Sequence, residues 1–152
     1  MIRAARSFFK LPSADQRAVV LLFVLVPLVE ALLLTAGFKR TAALIWKSLP
    51  ASQTAQNDVD RTLARYARLM KKVSRVAPFG RCLAQSLALG RLLQQRGIAV
   101  ELVFGQSKVN QKLAAHAWLE YQGKPINEST NVAQHYLPFR TPVLKTESEC
   151  QT

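Results

Sequence analysis

Residues 79–105, FGRCLAQSLALGRLLQQRGIAVELVFG, decide the fold of this chain, because they predict a helix that leads directly into a strand. Gly80 interrupts the chain just before Cys82. Apolar residues then cover most of the circumference of a helix from Arg81 to about Arg96, and Gly97 is a natural left-handed cap. The segment IAVELVFG alternates between two faces, which is typical of a strand. We therefore expect a central helix with Cys82 in its first turn, followed by a sheet.

The stretch AAHAWLEYQGKPINEST, residues 114–130, predicts the rest of that sheet. LAAHAWLEY has the alternation of a second strand, and KPINES that of a shorter third, joined across Gln122 and Gly123. On the second strand, His116, Trp118 and Glu120 share one face.

The register of this hairpin has two solutions. A two-residue loop of Gln122 and Gly123 sets Trp118 opposite Asn127, which places Asn127 on the face of the histidine. A three-residue loop that also includes Tyr121 sets His116 opposite Glu128. Either residue is therefore a candidate partner of His116, and Glu128 could additionally stabilise an imidazolium.

Cys82 and His116 form a candidate pair for nucleophilic catalysis. Exposed amide groups at a helix N-terminus stabilise a thiolate, and a histidine can take the thiol proton and later protonate a leaving amine. The alternative is that Cys82 is a small buried residue and His116 a satisfied core residue. His135 and Cys150 lie in stretches with little local pattern. We expect both to be ordinary polar or tail residues without a catalytic role.

The composition predicts one globular domain. The chain has 152 residues, 49% of them hydrophobic, and two widely separated cysteines, so a reduced compartment is the simpler expectation. A net charge of +12 suggests an acidic partner. The basic run from Arg61 to Arg75 contains a single aromatic residue, Tyr66, which argues against nucleic acid.

The N-terminal half is predicted to be helical. Residues 18–36 are almost entirely apolar and long enough to cross a bilayer, but Glu30 and Pro27 slightly favour a buried or membrane-skimming helix over a span. A short apolar segment from Thr41 to Leu49 can continue this region, and PASQTAQND then has the composition of a loop. A further helix, capped at Asn57 or Asp58, is expected to run to about Val76, with its apolar residues on one side and a solvated basic face on the other.

The quoted motifs resemble a known family. CLAQSLALGRLLQQRGIAVELVFG followed by HAWLEYQGKPINES is similar to the leader peptidases of lasso-peptide biosynthesis, which are transglutaminase-like cysteine enzymes. The resemblance is clearest over residues 78–140. Family members commonly carry a cysteine before a Leu-rich helix, a His-Ala-Trp strand and an Asn-Asp pair. That pair is Asn127-Glu128 here, so the resemblance implies Glu128 as the acid and selects the three-residue loop.

What the resemblance implies is a cysteine peptidase that removes the leader from a ribosomally made precursor, so that a separate cyclase can close a macrolactam. Cys82 would attack, His116 would act as base and then acid, and Glu128 would orient His116, with Asn127 as the alternate third member. Neither a cofactor nor a metal is implied. The implied partners are the precursor leader, a separate winged-helix recognition protein, the cyclase and an exporter, with peripheral membrane contact through residues 18–36. The chain is expected to be too short to contain the winged-helix domain itself.

We therefore expect an α+β fold with a papain- or transglutaminase-like core, in which the Cys helix packs on a small antiparallel sheet. An all-helical region, residues 1–76, would precede a catalytic core at 77–140 and a polar tail at 141–152. The expected location is the cytoplasm, with or without membrane association. The rival functions are acyl transfer to an amine and a noncatalytic membrane-associated adaptor.

Overall fold

The structure, a computed structural model, describes residues 9, 11–46, 56–76, 80–109, 112–129 and 131–139. Within these ranges the order of elements is α1 (Ser13–Ile45), α2 (Gln56–Val76), α3 (Cys82–Gln94), β1 (Glu101–Val109), β2 (Lys112–Tyr121), β3 (Lys124–Pro125), α4 (Val132–His135) and β4 (Leu137–Phe139). The α+β prediction is confirmed: helices precede a four-stranded antiparallel sheet of order β3-β2-β1-β4. The expected tail at 141–152 and most of the PASQTAQND loop lie outside the described residues.

Helix α1 contains the apolar stretch of residues 18–36 and continues beyond both of its ends. It is broken at Gly37, whose φ of 75° and ψ of 171° are not helical. Ala18, Leu22, Val26 and Val29 are 0–3% exposed and form the packed face of the part before the break. This is the one helix in the described ranges that is long and apolar enough to cross a membrane.

Helix α2 is amphipathic as the sequence predicts. Six of its apolar residues, which recur mostly every three or four positions, are buried: Val59, Leu63, Tyr66, Leu69, Met70 and Val73. Arg61, Arg68 and Lys72 are exposed on the opposite side. The solvated basic face is therefore confirmed.

Helix α3 is the central element of the core. Most of its residues from Ala84 to Gln94 are buried. It ends in a Schellman motif, because the Ile98 amide donates to the Leu93 carbonyl, the Gly97 amide donates to the Gln94 carbonyl, and Gly97 has a φ of 74°. The glycine cap proposed from the sequence is thus confirmed. Residues of α1, α2, α3 and the sheet form one hydrophobic cluster.

The β2–β3 hairpin has the first of the two registers considered and corrects the one that the family resemblance selected. Tyr121 pairs with Lys124 and Glu120 with Pro125, so the loop has two residues and the three-residue loop is wrong. Gln122 and Gly123 have φ values of 50° and 74°, the two positive angles of a type I′ turn, whose twist matches that of the flanking strands. The loop length is set by the backbone geometry of Gln122 and Gly123. The family resemblance carries no information about this geometry.

The sheet has two different faces. Leu119 and Tyr121 belong to the helix-packed cluster, and Phe104 meets Phe38 of α1 edge to face, with ring centroids 5.5 Å apart. The other face carries His116 and Trp118. It is covered in part by α4 and β4, two elements that the sequence analysis did not predict.

Candidate active site

Cys82 is the first residue of α3. Its side chain is partly exposed, and the residue before it, Arg81, has an extended conformation and provides no side-chain cap. The first amides of a helix have no partner within the helix and carry partial positive charge. Cys82 is therefore a partly exposed residue at the end of the helix that attracts negative charge.

Two helices hold the start of α3 in place. The Glu30 carboxylate of α1 accepts the Arg81 amide at 3.1 Å and pairs with the Arg81 guanidinium at 3.3 Å. Gly80 lies so close to α1 that an added Cβ would be 2.5 Å from Val26 Cγ1. Gln85 donates to the Gly80 carbonyl and accepts from Ser74 of α2. Sequence reasoning missed these contacts because they join segments that are distant along the chain.

His116 and Glu128 are brought together by the hairpin. His116 Nε2 lies 3.0 Å from Glu128 Oε1, and the two side chains are 18% and 36% exposed. Since Glu128 engages Nε2, the carboxylate favours the tautomer with the proton on Nε2 and the lone pair on Nδ1. The nitrogen that can accept a proton from a thiol is then Nδ1.

Glu128 reaches His116 although the register sets it opposite Ala117 rather than His116. Ladder pairing ends at Pro125, one further bond joins the Ile126 amide to the Leu119 carbonyl, and residues 126–128 are bends. Because the chain leaves the strand direction there, strict alternation no longer fixes where Glu128 points. The contact predicted from the family pattern is present, but for a different geometric reason.

Asn127 has another set of partners. Its Oδ1 accepts the Leu119 amide at 2.8 Å, and its Nδ2 donates to Ser86 Oγ at 3.2 Å. Ser86 is fully buried and donates to the Ala117 carbonyl at 3.1 Å. The two side chains therefore join α3, β2 and the end of the hairpin, and this geometry favours Glu128 over Asn127 as the residue that orients His116.

The same contacts set how far along β2 the start of α3 lies. Ser86 meets Ala117, and a Cβ on Gly90 would lie 3.4 Å from Leu119 Cδ2, so α3 and β2 advance in the same direction. Four helical residues rise about 6 Å, and two strand residues about 7 Å. One turn back from Ser86, Cys82 is therefore level with Ala115, whereas strand alternation turns the His116 side chain to the other face of β2.

Aromatic rings surround the imidazole. The His116 ring stacks with Trp118 at a centroid distance of 6.0 Å and lies tilted against Tyr136 at 5.0 Å. Trp118 is fully buried, and its Nε1 donates to Glu120 at 2.8 Å. Gly105 makes room for it, since a Cβ there would be 2.7 Å from Trp118 Cη2. Tyr136 was missed by sequence reasoning because its approach depends on β4 pairing with β1.

The remaining candidates lie elsewhere. His135 is exposed and contacts Asn131, and Cys150 is outside the described residues. Within the described part of the chain, no group of three or more His, Cys, Asp or Glu residues could hold a metal ion. A shallow cavity of about 230 Å³ between α2 and the β2–β3 hairpin is lined by Leu63 and Tyr121 among others, and its lining does not include the Cys82, His116 or Glu128 side chains.

Comparison with known proteins supplies the family. The sequence matches the family model described as the transglutaminase-like superfamily over residues 25–141, more than three-quarters of the chain. The chain belongs to the transglutaminase-like superfamily. Comparisons with curated proteins and with solved structures returned no match.

Membership in the transglutaminase-like superfamily indicates two candidate reactions for this chain. The superfamily includes cysteine peptidases and acyltransferases, both of which use a cysteine to form a thioester with an acyl group. The matched range contains Cys82, His116 and Glu128, together with most of α1. The apolar helix is therefore largely within the family domain.

Proposed function

We propose that this protein is a cysteine peptidase that cleaves the leader from a lasso-peptide precursor. The observation that carries the proposal is the His116–Glu128 hydrogen bond of 3.0 Å on a strand beside the helix that begins at Cys82. The resemblance of the Cys82 and His116-Ala117-Trp118 motifs to lasso leader peptidases supplies the substrate class.

In the proposed reaction, His116 Nδ1 takes the proton of the Cys82 thiol, and the sulfur attacks the scissile carbonyl of the precursor. The amide of Cys82, in the first turn of α3, donates to the developing oxyanion in this scheme. The protonated imidazole then gives its proton to the leaving amine, which is the N-terminus of the core peptide. Water, deprotonated by His116, hydrolyses the thioester and releases the leader carboxylate.

Glu128 acts in this scheme through His116. Its carboxylate fixes the ring tautomer and stabilises the imidazolium that forms twice during each turnover. It is thus a positioning residue, whereas Cys82 and His116 touch the reacting atoms.

The proposed partners follow from the same resemblance. A separate winged-helix protein would present the leader, and a cyclase would consume the freed amine. The exposed basic face of α2 is one candidate docking surface for the recognition protein. Charge reversal at Arg61 and Arg68 would then weaken partner binding and processing, and unchanged values for both would refute this docking surface.

The decisive experiment incubates the purified chain with a precursor and its recognition protein and follows leader release by mass spectrometry. We expect the wild type to cleave and Cys82→Ala and His116→Ala to lose cleavage, with Ser129→Ala, an exposed residue beside Glu128, as the matched control. Equal cleavage by the wild type and both variants would overturn the proposed mechanism.

Acyl transfer is the second candidate, because the superfamily also contains acyltransferases. Adding a primary amine such as glycine ethyl ester distinguishes the two activities. Hydrolysis predicts a free leader carboxylate as the main product at all amine concentrations, whereas a transferase would give the leader amide. If neither product forms and the protein still binds the recognition protein, the adaptor function is favoured.

A further inference from the structure

The first part of α1 has an exposed apolar side that no described element covers. We call it the outer stripe: Val20, Leu21, Phe23, Val24, Leu28 and Leu34, which are 45–67% exposed. Helical periodicity places these residues on one side, opposite the packed residues Ala18, Leu22, Val26 and Val29. Between residues 20 and 35 the exposed side carries no charge, and the hydroxyl of Thr35 donates to the Ala31 carbonyl at 2.8 Å. Six large apolar side chains exposed side by side form a continuous surface, unlike the single scattered apolar residues that are normal on a soluble protein.

The packed side of α1 prevents the helix from crossing a bilayer as a free span. Leu22 and Val29 are 0% exposed in the common core. Asp15 is paired with Arg65 of α2, and Glu30 with Arg81 before α3. A transmembrane orientation would break these ion pairs and remove one wall of the core. Only the outer stripe can therefore meet lipid, which is the geometry of a helix that lies in the interface.

Basic residues stand at both ends of the outer stripe. Arg17 is aligned with Leu21, Val24 and Leu28 at helical spacing, and Lys39 and Arg40 follow just after the break at Gly37. All three cations are exposed, and the whole chain carries a net charge of +12. Cations at the edge of an apolar surface suit the phosphates of anionic lipids, because their long side chains reach the headgroups while the apolar residues enter the acyl region.

We propose that α1 binds the surface of an anionic bilayer in the plane of the membrane, with the outer stripe at the boundary between headgroups and acyl chains. Arg17, Lys39 and Arg40 contact lipid phosphates, and the sheet and α2 stay on the aqueous side. Glu30 lies beside the stripe and binds Arg81, so the start of α3 is held near the membrane surface. This inference does not depend on the proposed peptidase activity.

The test uses the full chain and vesicle co-sedimentation. We expect strong binding to phosphatidylcholine vesicles that contain about 30% phosphatidylglycerol, weaker binding at 0.5 M NaCl, and little binding to pure phosphatidylcholine. The triple variant Leu21→Gln, Val24→Gln, Leu28→Gln should reduce the partition coefficient at least about tenfold. Leu137→Gln, at a leucine that is 74% exposed outside the stripe, is the matched control and should bind as the wild type does. Circular dichroism checks that each variant is folded.

Four results would overturn the proposal. One is equal binding by the wild type and the triple variant, and another is the absence of binding to anionic vesicles. Resistance of bound protein to extraction at alkaline pH would show a span instead of an interfacial helix. Concentration-dependent self-association that the triple variant abolishes, without vesicle binding, would assign the stripe to a second copy of the chain. Leader cleavage is measured without vesicles in a separate assay. A failure of membrane binding can therefore be told apart from a failure of the proposed peptidase function.

Discussion

At the scale of single residues, the site depends on one carboxylate that reaches one imidazole. His116 lies on a regular strand, whereas Glu128 lies in a bend, and their hydrogen bond is 3.0 Å long. The sequence supplied both residue types and a separation of twelve positions. The two-residue loop makes the predicted register wrong, and the bend after Pro125, which the sequence did not supply, brings Glu128 to His116.

Removing the Glu128 carboxylate should impair the chemical step. We expect Glu128→Ala to lower kcat by about 10²- to 10⁴-fold with little change in KM, because the imidazole loses its orientation and the imidazolium its counter-charge. Glu128→Asp should recover part of the activity, and Glu101→Gln, an exposed glutamate on β1, should retain all of it. A rise in KM alone would contradict the positioning role.

Gly105 is a second position where the addition of a single Cβ atom should affect stability. A Cβ there would lie 2.7 Å from Trp118 Cη2, 2.8 Å from Trp118 Cζ3 and 2.9 Å from Tyr136 Cβ. We expect Gly105→Ala to lower the free energy of unfolding by about 1–3 kcal/mol through overpacking. A double-mutant cycle with Trp118→Phe checks the cause by urea denaturation. Phenylalanine lacks the Cη2 and Cζ3 atoms that the new Cβ would meet. If the effects of the two substitutions on the free energy of unfolding simply add, the clash with Trp118 is not the cause of the destabilisation.

At the scale of elements, α3 is fixed against its neighbours by buried polar groups. The Ser86 hydroxyl joins α3 to the Ala117 carbonyl and to Asn127, which in turn accepts the Leu119 amide. The helix start is held separately by Glu30 of α1 and by Gln85. Hydrophobic patterning predicted that α3 is central, but apolar contacts alone would let the helix slide relative to β2. The polar contacts set the alignment of α3 along β2.

Ser86→Ala tests this alignment. The substitution leaves the buried Ala117 carbonyl and the partly buried Asn127 amide without their Ser86 partner, and we expect it to lower the free energy of unfolding by about 1–3 kcal/mol. It should also reduce kcat, because α3 and β2 lose their shared hydrogen bond. Urea denaturation and leader-release kinetics provide the measurements, with Ser129→Ala as the exposed control. Loss of stability without loss of kcat would show that other contacts maintain the alignment.

Glu30→Gln tests the contact between α1 and α3. Gln keeps a similar shape but lacks the charge that pairs with Arg81, and the pair is partly exposed, so we expect a stability change below about 1 kcal/mol. The rate of Cys82 alkylation by iodoacetamide should change, because the conformation of the first turn of α3 is less restricted. The matched control is Glu101→Gln, which should alkylate at the wild-type rate. An unchanged rate in Glu30→Gln would show that Gly80 and Gln85 suffice to hold this turn.

At the scale of the whole molecule, the helical half and the sheet share one core. Tyr66 of α2 is 3% exposed within it, and the Arg96 guanidinium lies over its ring, 4.6 Å from the centroid. Burial raises the pKa of Tyr66 above its ordinary value of 10.0, although Arg96 and Arg65 oppose that rise. Both arginines contribute to the positive charge of the chain, so these charges affect the ionisation of a tyrosine in the core.

Alkaline pH should therefore weaken the fold. Above pH 10 the unfolded chain releases the Tyr66 proton while the folded chain retains it, so the free energy of unfolding falls as pH rises towards the folded-state pKa. The slope due to this residue cannot exceed about 1.4 kcal/mol per pH unit. Urea denaturation between pH 9 and 11 should give a steeper decline for the wild type than for Tyr66→Phe. Equal declines would contradict the role of Tyr66.

The sequence by itself determined the local properties of this protein: a Cys-bearing helix with a glycine end, an amphipathic basic helix, an alternating strand with His116, and the residue types of the site. These follow from periodicity and backbone preference, which depend on residues a few positions apart. The tertiary structure alone decided the approach of Tyr136, the Ser86–Asn127 contacts and the side of α1 that stays exposed. Each of these depends on contacts between distant segments, whose packing no local pattern encodes.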